Sequence, residues 1–222
     1  LLANTDDTNP YVYLSDGGHF ENLGLYEMVL RRNRFIFVSD AGCDETCSLE
    51  DLGNAIRKIR IDLGIPVEFS SEFKIRARSD DPAAPAGRYW ALGRIRYAVF
   101  DGTAPDDDGL ILYVKPGFYG NEPRDVFNYA SANKAFPHET TGDQFFSESQ
   151  FESYRALGLH VVTTVQQELG TSIESLFDAS VRKKFLQNGS WGPTPSRAAA
   201  TRRAWTADVL GQLLKRYKNP NA

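Results

Sequence analysis

Cysteine is nearly missing from this 222-residue chain: only Cys43 and Cys47 occur, with three residues between them. That is too few for a disulfide framework and too sparse for a closed zinc site. They read as two ordinary thiols, which fits a reducing compartment, and the cytoplasm or the cytoplasmic face of a membrane is the expected location. Long hydrophobic runs are absent too. No stretch of about 18 apolar residues occurs, so no segment is expected to span a bilayer. Basic excess is lacking, because the formal net charge is -4. Nucleic acid is therefore not an expected partner, since phosphate binding needs a concentrated basic surface. The first residues, Leu1 to Asp7, have neither a charged region followed by an apolar one nor an initiator Met, and they read as a cut inside a longer chain.

What is there belongs to a folded protein. Hydrophobic residues make up 41% and charged residues 24%, ordinary values for a globular chain with a core. The length suits one substantial domain with an appended piece. The breaker-rich run Asn188-Gly189-Ser190-Trp191-Gly192-Pro193-Thr194-Pro195 places the internal boundary, dividing 1–187 from 188–222.

Along the chain, 11–15 (Tyr-Val-Tyr-Leu-Ser) reads as a strand ending on the turn Asp16-Gly17-Gly18. A helix is expected from Asn22, which suits an N-cap, with Leu23, Tyr26 and Leu30 on one face and Arg31 and Arg32 at its cationic end. The apolar run at 35–39 predicts a strand buried on both sides of a parallel sheet, ending on Asp40. Ser48 is expected to cap a helix in which Leu49, Leu52, Ile56, Ile59 and Leu63 recur at helical spacing. Strand, helix, strand, helix indicates an open α/β sheet with covered faces. Then 67–75, 88–100 and 109–115 read as strands of an antiparallel meander that extends or flanks the sheet. Helices are expected at 125–134, 148–168, 173–187 and 198–217. The last is basic on one side, through Arg202, Arg203, Lys215 and Arg216, and apolar on the other, through Trp205, Val209 and Leu213. It suits packing on its own domain, or peripheral contact with an anionic membrane.

The strongest chemical signal is Ser15-Asp16-Gly17-Gly18-His19-Phe20-Glu21-Asn22-Leu23-Gly24. An aspartate at the C-terminal end of a sheet strand stands where open α/β sheets bind ligands, and two glycines let backbone pass close to a substrate. These residues resemble the Asp-Gly-Gly box of patatin-like phospholipases. Phe136-Pro137-His138-Glu139-Thr140-Thr141-Gly142-Asp143, continuing to Gly158, resembles a further segment of large bacterial members, as do Asp40-Ala41-Gly42 and the stretch from Leu52 to Arg60. Together the resemblance covers most of 11–158. It implies an α/β fold, the C-terminal part of a three-layer patatin-like architecture with the meander and C-terminal helices appended. It also implies a lipid ester substrate, no cofactor, and a serine–aspartate dyad in which Asp16 is the base. Gly17, Gly18, His19 and Asn22 would form the loop around it. The family's Gly-X-Ser-X-Gly elbow and glycine-rich oxyanion loop are not in this sequence, so the serine is expected upstream of Leu1; Gly189-Ser190-Trp191-Gly192 has the wrong spacing.

Plainer readings compete. Asp16 could be a turn aspartate stabilising its own loop, and Asn22 serves first as a cap. His19, three residues from Asp16, suits the wall of a site better than a triad. His138, Glu139 and Asp143 lack metal-ligand spacing, with His160 standing apart, and read as a polar loop packing on the core. Asp106-Asp107-Asp108-Gly109 reads as a solvated hairpin tip rather than a calcium loop. Two functions remain: a lipid acyl hydrolase whose serine lies outside this sequence, or a non-catalytic module of the same fold that binds lipid or a protein.

Overall fold

In the central strands of the sheet, successive side chains feed two different cores, and this alternation arranges the rest of the chain. The computed structural model describes residues 16–79, 81, 83–140 and 142–191. The predicted strand at 11–15, the basic helix at 198–217 and nearly all of the 188–222 piece lie outside them. The elements run α1 (Leu25–Leu30), β1 (Phe35–Ser39), α2 (Glu50–Lys58), β2 (Val67–Phe69), β3 (Trp90–Ile95), α3 (Tyr97–Asp101), β4 (Gly109–Val114), α4 (Arg124–Ala132), α5 (Glu148–Leu169) and α6 (Ala179–Asn188).

The sheet order is β1-β4-β3-β2, with β1 parallel to β4 and the other pairs antiparallel. The meander therefore extends the sheet through β4, whose six residues are all buried. On one face Ile36, Val38, Ala91, Ile95, Ile111 and Tyr113 pack beneath α1 and α2. On the other, Phe35, Trp90, Leu110, Leu112 and Val114 pack beneath α4, α5 and α6. The register explains this division: Phe35 pairs with Leu110 and Ile36 with Ile111, so matched positions point the same way. The result is an α/β fold with helices on both faces of a mixed sheet.

Several expectations need correction. The β1 strand is not buried on both sides: Phe37 is 42% exposed, although Phe35 on the same face is buried. The helix after Asn22 starts only at Leu25, behind a left-handed Gly24, and it buries Leu25 and Val29 while Leu30 is exposed. Ser48 does not cap α2. Its N–H and that of Leu49 instead bond the Asp44 carboxylate at 2.8 and 2.9 Å in the turn ahead of the helix, whose N-cap position, Leu49, has no side-chain cap. Leu52, Ile59 and Leu63 are buried as expected, through a π turn at Ile59–Leu63 that continues the helix. The strand expected over 88–100 stops at Ile95 and gives way to α3.

The acidic tip is not merely solvated. Asp108 is buried; its carboxylate accepts from Arg94 Nε at 2.7 Å and from the Ala98 N–H at 2.9 Å, closing the α3 turn. Asp106 and Asp107 pair outward with Lys183 and Arg34.

Candidate functional site

The Asp16 corner is a tight turn built by its own sequence. Asp16 Oδ1 accepts the Gly18 N–H at 2.8 Å and caps a single 3₁₀ turn, Gly17–His19. Residues 16 to 20 are exposed. A Cβ at Gly18 would meet Asn22 Oδ1 at 2.6 Å and Asp16 Oδ1 at 3.3 Å, so a larger residue there must push the Asn22 amide aside. Gly17 has open space beside it, which leaves room for a close approach to the backbone.

Three contacts fix this turn to the body. Asn22 is not a helix cap. Its Nδ2 instead donates to Asp51 Oδ1 on α2 at 2.9 Å, while its Oδ1 lies over Gly18. The capping work falls to Glu21, whose buried carboxylate accepts from the N–H groups of Leu23 at 2.5 Å and Tyr26 at 3.1 Å. Lys58 donates to the Phe20 carbonyl and sits 3.9 Å above the Phe20 ring. The sequence shows no such clasp, because Lys58 lies 38 residues away.

Beside the turn is an open cleft of about 400 Å³ at the C-terminal end of β1, lined by Asn22, Leu23, Ser39, Asp40, Gly42 and Asp51, among others. Ligands of α/β sheets bind at this kind of edge. Asn22 belongs both to the cleft and to the Asp16 turn. Asp16 and His19 do not line the cleft; both are exposed.

Asp40, which follows β1, has a different environment. Asp40 is buried, and both of its oxygens are used: Oδ1 accepts from Lys115 Nζ at 3.1 Å and from the Gly42 N–H at 3.0 Å, and Oδ2 accepts from the Tyr113 hydroxyl at 2.5 Å. Burial, reinforced by Asp40, holds the Tyr113 hydroxyl far above its usual range, so it remains a donor. Asp44 lies 3.8 Å from Lys115; burial would raise its pKa, but hydrogen bonds from Leu49 and Ser48 and the nearby ammonium bring it below the usual value. Buried His138 packs against this network, with Nδ1 3.4 Å from the Gly42 carbonyl and 3.4 Å from the Asp44 nitrogen. Burial and the Lys115 charge both push its pKa below the ordinary value. With its acid paired and sealed, this cluster is a structural brace. Tyr113 and Lys115 were not singled out from the sequence; the available signal was a lysine closing an otherwise apolar strand, the counterpart of Asp40 closing another.

The remaining candidates are dispersed. Glu139 accepts from Tyr129 and Gln150, and Asp143 from the Phe145 N–H, each within its own loop or helix pair. Ser190 accepts a hydrogen bond from Ser71 at 2.9 Å. Cys43 and Cys47 are free; burial raises the Cys47 thiol, as expected for an unreactive one. Among the described residues no group of His, Cys, Asp and Glu side chains could hold a metal ion, and no helix is long and apolar enough to cross a membrane. Comparison with protein-family models, with curated proteins and with solved structures gives no match.

Proposed function

We propose that this chain is the aspartate-bearing, C-terminal part of a patatin-like lipid acyl hydrolase, with Asp16 as the general base of a serine–aspartate dyad. The observation that carries the reading is the place of Asp16 on an exposed glycine turn that Asn22 ties to α2, next to the cleft that Asn22 also lines. Asp40, the aspartate that follows β1, is buried in an ion pair with Lys115 and a hydrogen bond from Tyr113, which makes it a structural part rather than a base. The α/β sheet with helices on both faces agrees with the architecture that the sequence resemblance implies.

The serine would come from polypeptide outside these 222 residues, in an elbow docked against the cleft. A carboxylate within about 2.6–3.2 Å of a serine hydroxyl takes its proton as the oxygen attacks the ester carbonyl. The lipid alcohol then leaves with that proton, and water, deprotonated by the same carboxylate, releases the fatty acid from the acyl-serine. Backbone N–H groups of an oxyanion loop, also outside these residues, would stabilise the tetrahedral intermediates. Gly17 gives the substrate room, Gly18 and Asn22 hold the turn, and His19 forms part of the wall. A lipid ester is the substrate, met by peripheral contact with a cytoplasmic membrane face.

The test is Asp16→Asn in the full-length protein. Loss of the base should lower ester hydrolysis by about 10²- to 10⁴-fold with the fold unchanged by circular dichroism. Near-normal turnover in the folded variant refutes the role. A second reading, a non-catalytic lipid- or protein-binding module, draws on the bond from Gly18 N–H to Asp16, which a purely structural turn would also make. A fluorophosphonate probe separates the two, since the enzyme is labelled at serine and the module is not.

A further inference from the structure

We propose that α2 sets the position of the Asp16 carboxylate, with Asp51 and Lys58 as positioning residues for ester hydrolysis. The inference rests on Asp16 being the general base, and it assigns the side chains that hold that base where it works.

Burial does not fix the turn. Residues 16 to 20 are exposed, and Glu21 is the first buried residue after them. A surface turn without apolar packing keeps its place through polar contacts, and it opens more readily than the core behind it. Two such contacts come from one helix. Asp51 and Lys58 stand about two turns apart on α2, so they project from the same side of it toward the 16–22 segment.

Each holds a different point of the turn. Asp51 Oδ1 accepts from Asn22 Nδ2 at 2.9 Å. That bond aims the other end of the amide, Oδ1, across Gly18, so close that a Cβ there would lie 2.6 Å from it. Gly18 in turn donates its N–H to Asp16 Oδ1 at 2.8 Å. Contact therefore runs unbroken from Asp51 through Asn22 and Gly18 to the carboxylate. Lys58 donates to the Phe20 carbonyl and lies over the Phe20 ring, which meets Tyr26 edge-on at 5.0 Å. It grips the far end of the same turn, since the Phe20 N–H closes on the Gly17 carbonyl at 2.9 Å. The helix is a firm support for both, because its Leu52 and Ala55, and Ile59 just after it, are buried in the core.

A base must stand within hydrogen-bond reach of the serine hydroxyl, and a misplacement of about 1 Å costs on the order of 10²-fold in rate. Loss of either contact should reach turnover without reaching the fold. Asp51 also lines the cleft, so direct contact with substrate is the rival role.

The test measures kcat and KM for a soluble ester, para-nitrophenyl butyrate, in the full-length protein. Asp51→Ala should lower kcat about 10- to 100-fold, with KM within about twofold and a thermal midpoint within about 4 °C of the parent. Asp51→Asn loses the same favourable charge near the α2 N-terminus but keeps an oxygen that accepts from Asn22, so its kcat should stay within about threefold of the parent. Lys58→Met keeps an apolar stem over Phe20 and loses the donor, and should lower kcat about tenfold. Parental kcat in Asp51→Ala or Lys58→Met, equal losses in Asp51→Ala and Asp51→Asn, or a raised KM with kcat kept would each overturn the inference. If Asp16→Asn abolishes turnover while the α2 variants retain it, the base stands and only the role of α2 fails. If Asp16→Asn itself keeps near-normal turnover, both fall together.

Discussion

Lys115 Nζ lies 3.1 Å from Asp40 Oδ1, with the two side chains 1% and 3% exposed, so the C-terminal ends of the parallel pair β4 and β1 are tied by an ion pair cut off from water. A buried pair adds little over well-packed apolar residues, but removing one partner strands the other charge. Lys115→Met should therefore cost about 3–5 kcal/mol in urea unfolding, and Lys115→Met with Asp40→Leu should cost less than Lys115→Met alone. If the single and double variants prove equally unstable, the pair is not what braces this edge.

His138 sets a pH dependence of definite sign. Its pKa in the folded protein is depressed below the ordinary 6.5 by burial and by Lys115. The unfolded chain then binds the proton more readily, so stability is full above the unfolded value and declines as pH falls below 6.5 toward the folded value. His138→Gln should flatten the slope of unfolding free energy against pH in that window. Asp44, whose folded pKa is lowered, adds a separate loss only as pH falls below its ordinary 3.8. An unchanged slope near pH 6 in His138→Gln would rule out this assignment.

The two glycines after Asp16 should differ sharply. Alanine at Gly18 drives a methyl to 2.6 Å from Asn22 Oδ1 and must dislodge the amide that bonds Asp51. The expected cost is about 1 kcal/mol, the net worth of such a hydrogen bond, and it should be largely absent when Asn22 is already Ala. Gly17→Ala meets nothing within 4 Å and should leave stability within about 0.5 kcal/mol. Thermal denaturation of the four variants decides it.

What could be read from the sequence follows a physical pattern. The strand at Phe35–Ser39 and the helix Glu148–Leu169 were visible because apolar runs and periodicity are local properties. The meander was visible in its loops, but its strand ends were not, because Tyr97 to Asp101 satisfies its backbone as a helix once Asp108 closes the turn from across the hairpin. Caps were misassigned for the same reason. Asn22 and Ser48 have the right chemistry for helix starts, yet Glu21 takes the Tyr26 N–H of α1, and Asp44 gathers the N–H groups of Ser48 and Leu49 in the turn ahead of α2. The turn at Asp16-Gly17-Gly18 was legible from its own residues. Its clasp by Lys58 and Asp51 and the sealed Lys115–Asp40 pair join residues 29 to 75 positions apart, a relationship no local pattern encodes.

The three adjacent aspartates before β4 give the sharpest separation of equal residue types by environment. Asp107 faces Arg34 at 3.5 Å with both side chains more than 40% exposed, and such a pair is worth at most about 1 kcal/mol. Asp106 meets Lys183 in similar exposure, so its loss should scarcely move the unfolding midpoint. Asp108 is sealed between Arg94 at 2.7 Å and Arg96 at 3.8 Å and also caps α3 through the Ala98 N–H. Neutralising it leaves two largely buried guanidinium groups short of a counter-ion, with Arg96 relying on Glu68 at 2.7 Å. Asp108→Asn should then destabilise the protein by about 3–5 kcal/mol in urea. Glu68→Gln should cost less, because that carboxylate is itself partly open to water. Equal midpoints for Asp107→Asn and Asp108→Asn would return the whole tip to the status of solvated surface.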